Sequence, residues 1–129
     1  MSMKVIVETD KSVDQAVEAL TEAITERKFG VLHVHNLHKT LNSKGVPFDQ
    51  QCQVLEVCNP LQAAKVLEDD MDMNMALPCR VSVYQKGGKT LIGMISPKAM
   101  LATLSDSKAL QDVAEHVEQV LTEAIKAAA

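Results

Sequence analysis

Residues 51–67 read QCQVLEVCNPLQAAKVL, and residues 77–97 read LPCRVSVYQKGGKTLIGMISP. In the first segment an apolar run leads into Asn59 and Pro60. This is typical of a strand followed by a helix, because asparagine caps a helix and proline is tolerated in its first turn. In the second segment two apolar runs flank a pair of glycines, which is typical of a β-hairpin with a two-residue loop. The two segments therefore predict a strand, a helix and two further strands, in that order.

The sequence before these segments predicts two strands with a helix between them. A short β-branched run covers residues 4–9, and apolar residues then recur at helical spacing after Ser12 and Gln15, which form a capping box. Gly30 is expected to end this helix. Alternating side chains predict a second strand over residues 31–39, with Leu32 and Val34 on one face and Val31, His33, His35 and Leu37 on the other. The first part of the chain thus adds a β-α-β unit.

The end of the chain predicts one more helix. Its apolar stripe begins near Ser105 or Asp106, and Ser96 with Pro97 marks a short helical turn before it. The main elements then follow the order β-α-β-β-α-β-β-α within one domain over residues 1–129. Such an order predicts a two-layer α+β fold, in which helices cover one face of a mainly antiparallel five-stranded sheet.

The composition limits the classes of partner. The chain has 129 residues, of which 47% are hydrophobic and 2% aromatic, and its formal net charge is -4. With few aromatic residues for base stacking and no basic excess, we expect no nucleic-acid partner. No apolar run reaches membrane-spanning length, and three cysteines without the pattern of a secretory signal indicate reduced thiols. We therefore expect a cytoplasmic protein without a membrane partner.

The sheet face that the helices leave open is expected to carry apolar residues. Val54, Leu91 and Ile95 alternate with residues that face the helices. Monomers rarely leave such a patch in water. A homodimer is therefore expected, packed through the open sheet face or through the edge strands.

Two cysteines at the junctions of these elements offer two alternatives. Cys58 precedes a helix N-terminus, whose partial positive charge would lower the pKa of the thiol and favour a thiolate for redox, persulfide or metal chemistry. The alternative is that Cys58 and Cys79 are small buried hydrophobic residues. If their strands ran parallel, the two thiols would lie at opposite ends, and Cys52 would be the nearer partner of Cys79.

His33 and His35 form a candidate metal site. In a strand their side chains leave the same face about 7 Å apart, a spacing at which two imidazoles can hold zinc or copper. A third ligand would come from Glu56, His38 or a cysteine on a neighbouring strand. The alternative is that the histidine pair is structural.

Three methionines alternate with polar residues at Met71, Met73 and Met75. Thioethers are soft ligands for Cu(I), which makes copper binding one interpretation. Core filling or interface packing is the other.

The motifs around the cysteines resemble those of a known family. The segment Cys58-Asn59-Pro60, the Leu-Pro-Cys segment that ends at Cys79, and the Ile-Ser-Pro segment that ends at Pro97 are similar to the bacterial and archaeal family called domain of unknown function 302. The resemblance runs from the first strand to Pro97. It implies a small α+β fold that commonly pairs into dimers, and it implies no established catalytic activity.

Two functions stay open at this point. The first is a non-catalytic, homodimeric binding module, with a groove near Cys58, Asn59, Pro60 and Cys79 that accepts a small molecule, a metal or a partner chain. The second is a thiol-based redox or sulfur-transfer protein that uses Cys58 with Cys79. The sequence specifies neither the ligand nor a cofactor.

Overall fold

The computed structural model describes residues 3–129, which form five strands, five α-helices and one 3₁₀ helix. The strands are β1 (Lys4–Thr9), β2 (Gly30–Asn36), β3 (Cys52–Cys58), β4 (Cys79–Lys86) and β5 (Lys89–Ile95). The α-helices are α1 (Val13–Glu26), α2 (Leu37–Ser43), α3 (Pro60–Asp69), α4 (Pro97–Leu104) and α5 (Lys108–Ala128), and the 3₁₀ helix covers Met71–Ala76. No helix in this part of the chain combines the length and the apolar character needed to cross a membrane.

The strands form one antiparallel sheet in the order β1-β5-β4-β3-β2. Gly87 and Gly88, between β4 and β5, have positive φ angles of 60° and 75°, which glycine adopts without strain in a two-residue hairpin loop. β3 and β4 are also antiparallel, because α3 and the 3₁₀ helix return the chain to the end of the sheet where it left. The predicted α+β fold with a mainly antiparallel five-stranded sheet is confirmed.

α1 and α5 pack on one face of this sheet and make the main core. Alternate residues of β3 are buried, as the period of a strand requires, and their partners on β4 are buried with them. The core side chains between the two layers are aliphatic and include Leu20, Ile24, Leu55, Val81, Val83, Ile92, Leu121 and Ile125. This helical layer on one sheet face is the one that the sequence predicted.

A second apolar cluster lies where α3, the 3₁₀ helix, α4 and α5 meet. Its buried members are Val66, Met73, Leu101, Leu110 and Ala114. α3 and the 3₁₀ helix connect β3 to β4, and α4 follows β5, at the end of the sheet where β3 and β5 finish and β4 begins. The cluster therefore extends the core beyond that end of the sheet.

The start of α4 is fixed by a side chain from α5. The Oγ of Ser96 accepts a hydrogen bond from the N–H of Ala99 at 3.1 Å and donates one to the carboxylate of Glu118. The same carboxylate oxygen accepts from the N–H of Lys98 at 3.2 Å. Two N–H groups of the first turn therefore have partners, and α4 is tied to α5.

β2 is shorter than predicted. It ends at Asn36, whose side chain accepts a hydrogen bond from the N–H of Lys39 at 3.0 Å and so caps α2. The prediction of a strand over residues 31–39 was wrong beyond Asn36. An N-cap asparagine followed by Leu37 and Leu41 at helical spacing starts a helix instead.

A β-bulge between Val31 and His33 changes the faces of β2. Val31 lies opposite Val57, on the helix side of the sheet, whereas His33 lies opposite Glu56, on the open side. The prediction that Val31 and His33 share a face was therefore wrong. The bulge adds one residue and reverses the alternation of the strand.

Two helix boundaries also differ from the prediction. α1 ends at Glu26, and Lys28 takes the left-handed conformation with a φ of 68°, while Gly30 opens β2 instead of ending the helix. α5 begins at Lys108, behind an N-cap at Ser107 whose Oγ accepts from a first-turn N–H at 3.3 Å. That start is slightly later in the chain than predicted.

Candidate functional site

The antiparallel pairing of β3 and β4 brings two cysteines to one end of the sheet. β3 ends at Cys58, β4 begins at Cys79, and Val57 lies directly opposite Cys79. Cys52 lies at the other end, opposite Tyr84. The expectation that followed from parallel strands, with Cys52 nearer to Cys79, is therefore wrong. Cys58 and Cys79 line the same small cavity.

The residues after Cys58 set the direction in which α3 leaves the sheet. The Oδ1 atom of Asn59 accepts hydrogen bonds from the N–H groups of Leu61 at 3.1 Å and of Gln62 at 3.2 Å, and Pro60 occupies the first turn. The predicted cap and first-turn proline are confirmed. Asn59 lines the cavity with the two thiols, whereas Pro60 does not belong to the described residues that line it.

Burial controls the protonation of both thiols. Desolvation raises the pKa of Cys58, and it raises the pKa of Cys79 from 9.0 to about 11, with a smaller contribution from the charge of Cys58. The helix N-terminus was expected to lower the pKa of Cys58. Burial acts in the opposite direction and raises it. Both cysteines are therefore thiols near neutral pH.

The cavity lies between the two apolar clusters. Phe29 and Val57 line it from the main core, and Val66 and Leu101 line it from the second cluster. Its volume is about 40 Å³. Since one water occupies about 30 Å³ in the liquid, the cavity accepts only a very small molecule or a single side-chain group.

A larger groove opens on the other sheet face, beside the same segment of residues 77–79. Its volume is about 390 Å³. Its lining residues come from the open side of the sheet, from the 3₁₀ helix and from the start of α4, and they include Val54, Met75, Cys79, Arg80, Ser82, Ile95 and Met100. A groove near Cys58 and Cys79 was predicted, but its position on the open sheet face was not, because its walls are far apart in the chain. Residues 77–79 border both the groove and the cavity.

The histidines lie on the open side of β2. The Nε2 atom of His35 is 3.1 Å from a carboxylate oxygen of Glu56, and the rings of His33 and His35 meet edge to face with 4.4 Å between their centroids. His38 lies instead on α2, with its Nδ1 3.2 Å from the carbonyl oxygen of Gln50. Throughout residues 3–129, no three side chains of His, Cys, Asp or Glu form a group that could hold a metal ion.

The three alternating methionines do not share one environment. Met73 is buried in the second cluster, which agrees with the core-filling interpretation, whereas Met71 and Met75 are exposed. A 3₁₀ helix repeats every three residues, so side chains two positions apart point in different directions. Met75 lines the groove.

These features define a class of protein, namely a small two-layer α+β protein with an antiparallel sheet. At one end of this sheet, the segments at Cys58 and Cys79 line the cavity, and the segment at Cys79 also lines the groove. Residues 5–128 match the family model described as Domain of unknown function DUF302, and the chain belongs to this family. The chain is similar to an uncharacterized conserved DUF302 protein from Bacillus stearothermophilus, known from a crystal structure. The two share 30% sequence identity with a TM-score of 0.94, over 100% of each chain. A comparison with curated proteins gave no match.

Proposed function

We propose that this protein is a non-catalytic binding module that takes a small ligand into the groove beside residues 77–79, and that it acts as a homodimer paired through β2. The observation that carries the ligand site is the size and chemistry of the groove. Its volume of about 390 Å³ lies within the range of about 300–1,000 Å³ that is usual for small-molecule sites. The cavity beside Cys58 and Asn59, at about 40 Å³, is too small for that role.

The groove also exposes apolar side chains that a ligand would cover. Met75 is 82% exposed and Ile95 is 57% exposed, whereas Met73 on the same 3₁₀ helix and Met94 beside Ile95 are buried. Burying a large apolar side chain is worth about 1.5–3 kcal/mol, so a ligand that covers both gains free energy. Methionine adapts its shape to different apolar partners.

The thiol-based alternative has one supporting observation, which is that Cys58 and Cys79 lie at the same end of the sheet. The protonation of both thiols opposes it, because the thiolate is the nucleophile in redox and sulfur-transfer chemistry. Metal binding at His33 and His35 lacks a third ligand among the described residues. A cytoplasmic location stays a prediction, supported by three free cysteines.

The dimer proposal rests on the exposure of β2. Val34 is on the helix side, opposite Leu55, yet Val34 is 36% exposed while Leu55 is 0% exposed. The helical layer therefore stops short of β2, and Leu32 and Leu37 are exposed beside it. β1, the other edge, carries charge, with Glu8 in an ion pair with Lys89 at 3.1 Å. Charged edges discourage pairing, so β2 is the edge that suits a second copy.

Binding of Nile red, a neutral apolar fluorophore, tests the ligand site. We expect the fluorophore to bind, and we expect Met75→Gln to weaken binding by roughly tenfold, since a polar side chain replaces apolar contact area. Met71→Gln is the matched control, because Met71 is exposed on the same 3₁₀ helix and is not a lining residue of the groove. Equal binding by the wild type and both variants would reject the groove as the ligand site.

Sedimentation equilibrium tests the dimer. We expect the wild type to be dimeric and Val34→Glu to be monomeric, because the new carboxylate would be buried unpaired in the interface. Ile6→Glu is the control, since Ile6 belongs to β1 and is exposed on the open sheet face. If Ile6→Glu dissociates the dimer and Val34→Glu does not, the interface is the open face. A monomeric wild type at high concentration would remove the dimer altogether.

A further inference from the structure

Within residues 3–129, a single charged residue lines the groove. Among the described side chains that line it, Arg80 is the only ionic one, and Ser82 supplies a hydroxyl. The rest are apolar apart from the thiol of Cys79. A recess with one cation and an apolar wall is complementary to a molecule with one anionic group and an apolar body.

Arg80 is available to an outside anion. Its cross-strand neighbour on β3 is Glu56, the nearest carboxylate by register. That carboxylate is engaged by His35, with 3.1 Å between Nε2 and the oxygen. No hydrogen bond or ion pair joins the guanidinium of Arg80 to any residue within 3–129. Its five N–H donors are therefore left for solvent or for a ligand.

The charge of the groove restricts the anionic group. One guanidinium neutralises one negative charge, and its planar fork matches a carboxylate through two parallel hydrogen bonds. A phosphate dianion would call for a second cation, which the lining does not supply. The formal net charge of the chain is -4, so a general attraction for anions is not expected either.

The volume restricts the apolar body. About 390 Å³ accommodates roughly a dozen non-hydrogen atoms, if each takes about the 30 Å³ of a water in the liquid. Met75, Ile95 and Met100 form flexible or aliphatic walls without aromatic rings, and such walls suit a flexible alkyl chain.

We propose that the groove binds a medium-chain alkyl carboxylate, with the carboxylate on Arg80 and the alkyl chain against Met75, Ile95 and Met100. This inference rests on the proposed function, because it names the ligand class of the same groove. It adds that the charge of Arg80 selects the ligand.

Calorimetric titration with decanoate and with decanol tests the role of the charge. Decanol has the same alkyl length and no charge. We expect it to bind about 10- to 100-fold more weakly than decanoate, because this loss of affinity follows when a charge-assisted hydrogen bond is removed. Arg80→Gln is expected to weaken decanoate binding by a similar factor and to leave decanol unaffected. Lys86→Gln is the matched control, because it removes a positive charge from the same strand outside the groove lining.

Methyl resonances locate the bound chain independently. The protein contains seven methionines, so decanoate can be titrated into protein carrying ¹³C-methyl methionine. We expect the signals of Met75 and Met100 to shift and that of Met71 to stay in place.

The outcomes separate this inference from the proposed function. If decanol binds as tightly as decanoate and Met75→Gln weakens both, the groove is a ligand site and the carboxylate inference is overturned. If neither binds while Nile red still does, the inference fails alone. If none of the three binds, both the inference and the proposed function fail.

Discussion

Replacing Cys79 by alanine is expected to reduce the loss of folding stability that the protein suffers as the pH rises from 9 to 11. Burial raises the pKa of the Cys79 thiol from 9.0 to about 11, so the folded state holds this proton more tightly than the unfolded state. The stability that this provides is complete below about pH 9 and is lost as the pH rises through about 11. One pH unit corresponds to about 1.4 kcal/mol, so we expect the wild type to lose roughly 2 kcal/mol by pH 11 through this group.

Urea unfolding of both proteins between pH 8 and pH 11, in the presence of a reductant, measures this effect. Loss of the side chain changes the unfolding free energy of Cys79→Ala by the same amount at every pH. The informative quantity is therefore how the difference in unfolding free energy between the wild type and the variant changes with pH. Cys58→Ala is a second control. It removes the smaller, electrostatic contribution to the pKa of Cys79 and is expected to give an intermediate loss. Parallel curves for the wild type and Cys79→Ala would refute the desolvation of this thiol.

Three further predictions concern local features. Cys58 is expected to react with iodoacetamide at pH 7–8 more slowly than a free cysteine, and a faster reaction would restore the thiolate hypothesis. Ser96→Ala is expected to lower the free energy of thermal unfolding by about 1–2 kcal/mol, because the side chains of Ser96 and Glu118 together cap α4. The loss is expected to be smaller in the Glu118→Gln background, and purely additive losses would contradict this coupling. Gly93→Ala is expected to cost about 1–3 kcal/mol, because a Cβ there would stand 3.2 Å from the carbonyl oxygen of Val5 and from the Cγ1 atom of Ile6, both on β1. Gly30→Ala, with 3.8 Å to its nearest atom, is expected to stay within about 1 kcal/mol of the wild type, and equal losses would contradict the steric argument.

Local chemistry made much of the fold predictable. The effect of some residues is limited to the backbone next to them, so the sequence alone predicts it. The start of α3 was predicted from Asn59 and Pro60, and the β4–β5 hairpin from Gly87 and Gly88. The alternation of apolar residues then separated the two sheet faces, as the burial of Leu55 confirms.

Other features depend on contacts or geometry that a pattern does not encode. The bulge after Val31 shifts the faces of β2 by one residue without a glycine or proline to mark it. The sequence did contain a signal for α2, namely the asparagine cap at Asn36, but an apparently continuous strand concealed it. The predicted shift of the Cys58 pKa had the wrong direction, because burial, which the pattern of residues does not encode, raises the pKa.

The candidate site was predicted only in part. The sequence selected Cys58 and Cys79, and the antiparallel strands bring them to one cavity. It did not select Arg80, and it selected Met75 only as a possible copper ligand, because the groove combines residues from the 3₁₀ helix, the sheet and α4. Periodicity within one element cannot reveal a surface that several elements share.

Residues 77–79 lie between two recesses, the small apolar cavity beside Cys58 and the larger groove on the open sheet face. The thiol of Cys79 is therefore placed where a ligand in the groove would stand next to it. We expect such a ligand to slow the alkylation of Cys79, so this one side chain can report whether the groove is occupied.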